Sequence, residues 1–509
     1  MRSLLGTHER QQGVITSAYW FVFALCLAHL IRNEQEWRVL FQCVCAGGYI
    51  ISLLALLHYS GLMTIDNLYQ DNDRLSYTIG NASILAAYLA CVVPISSGLL
   101  ASAIQKKRYY TEAALHSAGL LIITTVLVAT GTRSAIIAVS LWACVAVLTL
   151  PRDIKAPIFG LIFVAALTAA AFNWNLLETR LAELTIESPA VSGRFDAWSI
   201  AYRAIKAAPI IGIGAENFIV AFGALSSPGE AGIETFDNPH SHLLDITVSS
   251  GITGLACYAA LLFACAIALW KHRNPIEQDK VVENRSIIIG VLLIYQMTAS
   301  VLFEAHVSQA LFYLAVAYCL SISPNLKSPL SSNWVTRPIG IGICCTALLH
   351  TTTTWSDARA MHQLTTTEWH QHIRTAPDIS RPQDVLGVLA PKIWSDWRYL
   401  NTEQKILTIT VLKQLTDQDP NLNWQTLTKL GYAWLRISAD FPDGAKKVSA
   451  IANRLLQLAP ERWETVEFLA FVNLARHERD AAIQILRQYL EKDPNAGQVR
   501  SMLRRLEAP

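Results

Sequence analysis

Ten apolar stretches, most of them close to the ~17–25 residues that one bilayer crossing requires, constrain this chain more than any other feature. They fall at 14–31, 39–60, 82–104, 113–131, 134–150, 156–173, 244–270, 286–304, 308–323 and 338–354. In hydrocarbon a lone segment satisfies its own peptide groups only as a helix, so the expected fold is all-α: a polytopic transmembrane bundle of about ten spans. Composition agrees. Hydrophobic residues make up 52% of the chain and charged residues 16%, where a water-soluble domain carries about a quarter charged. The spans at 113–131 and 134–150 are joined only by Gly131-Thr-Arg133, a tight hairpin. All ten cysteines lie in apolar runs and read as small membrane-core residues, not as a metal site or disulfide framework.

Lysine and arginine in short loops set the orientation. Lys106-Lys107-Arg108, Arg152 with Lys155, Lys271 to Arg285, and the later Lys327 and Arg337 fall on one side, which is expected to be the cytoplasm. The loops at 62–81, 174–243 and 305–307 then face outward, as does everything after 355. The same alternation puts Met1 outside with no secretory signal before it, since Met1 to Gly13 is polar and lacks an apolar core.

The chain therefore divides into a membrane domain, 1–355, that includes the outer loop 174–243, and a second region, 356–509, that is charged, cysteine-free and helical in pattern. Helices are expected around 403–418 and 423–439. Pro460 and Pro494 lie 34 residues apart, with Ala470 and Ala482 at positions where the two helices of a tetratricopeptide-like pair approach closely. A generic helical bundle fits the same pattern.

The chemistry-bearing residues gather at the outer boundary. Asp237-Asn-Pro-His-Ser-His-Leu-Leu-Asp245 closes the outer loop and leads into an apolar helix, and a histidine pair beside lipid is costly unless it serves something. His240 fits a general base, because its ordinary pKa lies near working pH; His242 is the alternative, and a snorkelling interface histidine is the bland one. The outer loop holds eight acidic and four basic residues, so any anion site must be built from particular arginines. Arg194 is the first candidate, with a structural pair to Asp196 or Glu216 as its alternative. Arg133, at the outer end of two spans, either meets an anion or a lipid headgroup. Arg74 is the third candidate. His306, with Glu304, occupies a short outer hairpin and could line the same cavity. Asp245 opens the following helix, where a carboxylate suits the dipole. There is no Walker loop, no nucleotide fingerprint after a strand and no Gly-x-Ser-x-Gly. His240-x-His242 is too little for zinc. No metal and no cofactor are expected. The net charge of +2 says nothing about partners, and nucleic acid is not expected among them.

Read together, these motifs resemble the O-antigen ligase and polymerase (Wzy-type) superfamily. They are His240-Ser241, nine residues, then Gly251-Ile-Thr-Gly254; Ser192-Gly-Arg-Phe-Asp-Ala-Trp198; and Pro209-Ile-Ile-Gly-Ile-Gly214. A further stretch matches at Gly80, Asn81 and Ala86, the pattern of a helix start that Arg74 precedes. The resemblance covers roughly residues 70–270. It implies a GT-C-like membrane glycosyltransferase that moves a glycan from an undecaprenyl-diphosphate donor to an acceptor hydroxyl, without metal and with inversion. His240 would take the proton, and Arg194, Arg133 and Arg74 would hold the donor diphosphate. The acceptor implied is lipid A–core, a protein or a growing glycan. The site loop and the C-terminal region would be periplasmic, on the bacterial inner membrane, in contact with membrane lipids. The superfamily usually carries further helices before the matched position, so the gene is expected to begin upstream of Met1. A transporter or non-catalytic scaffold is the reading from another class; it would place ionisable residues at mid-membrane, whereas His29 and His116 lie within a few residues of span boundaries. All leading candidates precede residue 245, so the C-terminal region is expected to select the acceptor and leave the chemistry to the membrane domain.

Overall fold

The computed structural model describes residues 2–7, 10–31, 33–63, 74–79, 81–105, 110–149, 189–230, 235–271, 278–302, 305–323, 356–357, 359–366, 368–379, 382–419, 422–441 and 443–508. The expected spans at 156–173 and 338–354, Glu304 and the loop charges at 106–108, 152 and 155 lie outside them. Every regular element among the described residues is a helix, as the apolar runs require.

The membrane bundle is built from α1 (Val14–Leu30), α2 (Glu34–Tyr59), α3 (Ala82–Gln105), α4 (Tyr110–Ala129), α5 (Arg133–Thr149), α8 (His242–Lys271), α9 (Gln278–Ala299) and α10 (His306–Ser321), with α6 (Pro189–Ala207) and α7 (Phe218–Leu225) between α5 and α8. Four of these, α2, α3, α4 and α8, are each long and apolar enough to cross a membrane. The protein is a multi-pass membrane protein. Its axis is α3, buried along nearly its whole length, as a helix apolar on all faces must be. Small residues let neighbours approach it: a Cβ on Gly98 would lie 2.3 Å from Ile287 of α9. At the far end from the site, Arg38 of α2 bonds Glu112 of α4 at 2.7 Å and Ser102 of α3 at 2.8 Å, which pins three helices. His116 departs from the expectation of a boundary residue. It is buried and hydrogen-bonded to Tyr49 at 2.8 Å, because the second turn of α4 already lies inside the bundle. By contrast α8 exposes Ile252, Phe263 and Trp270, the composition of a face in contact with lipid.

The C-terminal region comprises α11 (Pro382–Asp396), α12 (Thr402–Gln418), α13 (Trp424–Ser438), α14 (Asp443–Leu458), α15 (Trp463–Ala475), α16 (Arg479–Lys492) and α17 (Gly497–Glu507). Helix α12 starts on a capping box in which Asn401 and Gln404 exchange side-chain and backbone bonds. Ala470 and Ala482 are both fully buried between α15 and α16, where the sequence asks for small residues. Three of the buried tryptophans of the region give their indole N–H to an oxygen: Trp369 to Asp396 at 2.9 Å, Trp397 to Asp440 at 3.0 Å, Trp424 to Ile219 at 2.9 Å.

The last of these bonds crosses from the C-terminal region to the outer loop. One continuous core contains Ala197, Ile200 and Ala201 of α6, Phe218 and Phe222 of α7, and the tryptophans of the C-terminal helices. Gly223 sits so close to Trp424 that a Cβ would lie 2.1 Å from its ring. Arg462, 3% exposed and bound to Glu464 at 2.7 Å, lies over the rings of Phe222 and Trp424 at 5.0 and 5.3 Å. The hydrophobic core thus passes across residue 355 and joins the loop to the helices that follow it.

Candidate active site

The site forms where α4, α5, α6, α8 and the N-terminal segment meet at one end of the bundle. Asn81 caps α3, its side-chain oxygen accepting from the backbone N–H of Ser83 at 2.8 Å. Arg74, just before this cap, reaches across to the α4–α5 hairpin. Its Nε donates to the Thr130 carbonyl at 2.9 Å, and its Nη2 donates to Thr132 Oγ1 at 2.9 Å and Ser83 Oγ at 3.2 Å. The next residue after Thr132 is Arg133, the first of α5. Arg74 therefore holds the turn that carries Arg133.

Arg194 lies on α6, and one turn later Trp198 donates its indole N–H to the Pro239 carbonyl at 2.9 Å. The Gly-Arg-x-x-x-Trp pattern thus ties the arginine-bearing helix to the histidine loop. In that loop His240 adopts φ +49°, a left-handed backbone uncommon outside glycine. Asn238 Oδ1 stabilises it by accepting the His240 N–H at 2.7 Å, and the Phe236 ring meets the imidazole edge to face at 5.2 Å. A functional side chain held in a sparsely populated backbone conformation is a common property of active sites.

The half-helix that follows has a defined length. Helix α8 breaks at Gly251, where φ is +68° and ψ −167°. Into the break fits the turn-forming segment 209–214. Ile252 N–H donates to Pro209 O at 2.8 Å, Ile213 N–H to Val248 O at 2.9 Å and Gly214 N–H to Ser249 O at 2.9 Å. A Cβ on Gly251 would lie 2.1 Å from Ile210 O, and one on Gly212 would lie 2.4 Å from the Ser249 carbonyl carbon. Only glycine permits both the dihedral and the approach. The nine-residue interval after His240-Ser241 is thus the length of a short helix between the histidine loop and a backbone docking point.

Electrostatics draw these parts together. Burial pushes the His240 pKa down to about 4; the guanidinium groups of Arg10 and Arg194 add to that, and Asp237 opposes it. His240 is therefore neutral at working pH, the form that can accept a proton. Burial also lowers the Arg194 pKa, as does the like charge of Arg133. Two arginines gathered at a half-buried position form a locus that gains from the arrival of an anion. Glu216, one expected partner for Arg194, accepts instead from the backbone N–H groups of Thr7 and Gln12. Arg203 pairs with Glu230.

The two histidines of the motif separate. His242, the first residue of α8, is buried, with its ring edge-on to Tyr258 at 5.0 Å and near Tyr295 at 6.2 Å. His306 has its Nδ1 at 3.1 Å from Gln309 Oε1 and its ring tilted against Trp20. Both belong to an aromatic cluster inside the bundle, whereas His240 shares its surroundings with Arg194, Arg10 and Asp237. Sequence reasoning missed Arg10. The N-terminal segment folds over the loop, with Ser3 bonded to Ala215 O at 3.2 Å. Arg10 grips Asp237 with Nε and Nη2 at 2.5 and 2.7 Å. A lone arginine in a polar leader carries no motif; only the three-dimensional approach reveals it.

A multi-pass, all-helical membrane protein with two arginines and a neutral histidine at one end of its bundle is thus the class that fold and site define. Residues 118–259 match the O-antigen ligase family model, so this segment is similar to that Wzy-type family. The match begins in α4 and ends just past the break in α8, and so contains Arg133, Arg194, His240 and Gly251. It supports a glycosyl-transfer role at a membrane, with a lipid-linked glycan and an acceptor as substrates. Comparison with curated proteins and with solved structures finds no match.

Proposed function

We propose that the protein transfers a glycan from an undecaprenyl-diphosphate donor to an acceptor hydroxyl at the outer face of the bacterial inner membrane, in the manner of an O-antigen ligase. His240 removes the acceptor proton. The acceptor oxygen bonds to the anomeric carbon as the bond from that carbon to the diphosphate oxygen breaks. Undecaprenyl diphosphate leaves, and the single displacement inverts the anomeric configuration. Arg194 and Arg133 meet the negative charge that develops on the leaving group, and Arg74 supports them by holding the hairpin. Guanidinium groups supply the neutralisation that a metal would otherwise give. The observation that carries this reading is the meeting of Arg133, Arg194 and a neutral His240 within the family-matched segment.

A donor diphosphate would also tune the base. Anionic charge on Arg194 offsets one of the fields that depress His240, so the imidazole becomes a stronger base once the donor is seated. We divide the chain into a membrane transferase domain, 1–355, and a periplasmic helical domain, 356–509, of tetratricopeptide-like design. Protein O-glycosylation is the second reading, favoured by a C-terminal region that packs directly against the site loop. The test is glycan and lipopolysaccharide profiling of a deletion strain complemented with wild type or His240→Ala. Loss of capped lipopolysaccharide, restored only by wild type, supports ligation. Loss confined to glycoproteins selects the second reading. Unchanged profiles in the deletion strain would remove the glycosyltransferase assignment.

A further inference from the structure

A cavity of about 200 Å³ lies between the N-terminal segment, the histidine loop and the C-terminal helices α11 and α13. Arg10 and Asp237 form the wall nearest His240. The opposite wall presents Gln383 and Asp384 from α11 and Gln425 and Lys429 from α13, over apolar Ile219 and Val388. Five charged groups line the space: two cations, Arg10 and Lys429, and three carboxylates, Glu216, Asp237 and Asp384. With amides interleaved, it offers donors and acceptors in all directions and no net positive field. A phosphate would meet more negative than positive charge here. A purely apolar ligand would displace the water that solvates the polar ends of Gln383, Gln425 and Lys429. The chemistry that fits is a neutral ring bearing several hydroxyls, each both donor and acceptor.

Gly387 supplies an independent observation. It lies in the interior of α11, where glycine is among the poorest helix formers. A Cβ built on it meets nothing within 4 Å. It needs no positive φ and no close neighbour, and it lines the cavity. Its missing side chain leaves that space open.

We propose that this cavity is a saccharide subsite that seats one sugar ring beside His240, from either the acceptor or the donor glycan. The assignment rests on the transfer function proposed above for its biological meaning, but its test reads binding alone. Full-length protein in lipid nanodiscs is mixed with methyl glucoside, methyl galactoside or N-acetylglucosamine, and saturation-transfer NMR records contact with the ring protons. Wild type and Gly387→Ala, which leaves most of the space, should transfer saturation to at least one sugar. Gly387→Phe, which fills the space without touching the backbone, should lose it while keeping the wild-type unfolding temperature. Should Gly387→Phe fail to fold, Gln425→Ala takes its place and should weaken the same signal. Prior loading with lipid-linked glycan extracted from the host membrane separates the sources: displacement of the sugar assigns the cavity to the donor glycan, persistence assigns it to the acceptor. Absence of signal from all three sugars, or an undiminished signal in Gly387→Phe, overturns the proposal.

Discussion

A histidine that takes a proton from an alcohol has to be uncharged when the alcohol arrives, and the surroundings of His240 enforce that. Its pKa of about 4 in the fold lies below the ordinary 6.5, so its burial carries no protonation cost above about pH 6.5, and a cost to stability that grows as pH falls from there and levels off below about 4. The acid limb of kcat/KM is therefore expected well below pH 6. Replacing Arg10 with alanine removes one depressing charge and leaves Asp237 opposite the ring, so the limb should move to higher pH. A limb that stays put would show that Arg10 does not act on His240. His240→Ala should cost ~10²–10⁴-fold in transfer, the usual loss of a general base. His242→Phe, against Tyr258, should leave most of the activity; a dead His242→Phe with an active His240→Ala would exchange their roles. At Arg194, lysine keeps the charge but loses the two-pronged geometry. Arg194→Lys should raise the donor KM about 10–100-fold, the value of a charged hydrogen bond. Wild-type kinetics would identify a simple point charge.

At the scale of elements, the broken helix α8 sets the site. Gly251→Ala places a methyl against Ile210 O and forces a side chain to φ +68°. The left-handed strain alone costs ~1–3 kcal/mol, so the unfolding temperature and transfer should fall together. An unchanged thermal transition would mean the 209–214 segment does not dock in the break. The helices themselves were legible in hydropathy: the expected 14–31, 82–104 and 423–439 correspond to Val14–Leu30, Ala82–Gln105 and Trp424–Ser438. The His-to-Gly interval was legible too, as a spacing. Its cause was not, because a spacing does not say that a second segment must enter the helix at its far end. The divergence of His240 and His242 was equally hidden. The two are separated by one residue, and only the start of α8 between them turns one toward the loop and the other toward Tyr258.

Across the whole molecule, the shared core changes how the C-terminal region must be regarded. Sequence separates the region by its charge and lack of cysteine, and on that basis expects its removal to spare the donor site. Long-range packing is invisible to such a reading: nothing in Phe218-Ile-Val-Ala-Phe222 names Trp424 as its cover. Trp424→Ala should cost ~3–5 kcal/mol of local stability, exposing α7 to protease and reducing transfer, although Trp424 touches no proposed catalytic group. Protease resistance equal to wild type would show that α7 holds its place unaided. Truncation at 356 should act in the same direction and more strongly. The Ile219–Trp424 bond spans 205 residues. At about 5–20 residues per second, a ribosome reaches the tryptophan about 10–40 s after the isoleucine. During that interval the apolar face of α7 lacks the cover that Trp424 gives it. A chain that lacks Trp424 keeps that face uncovered for as long as it lasts, so a damaged tail is a defect of the loop as well.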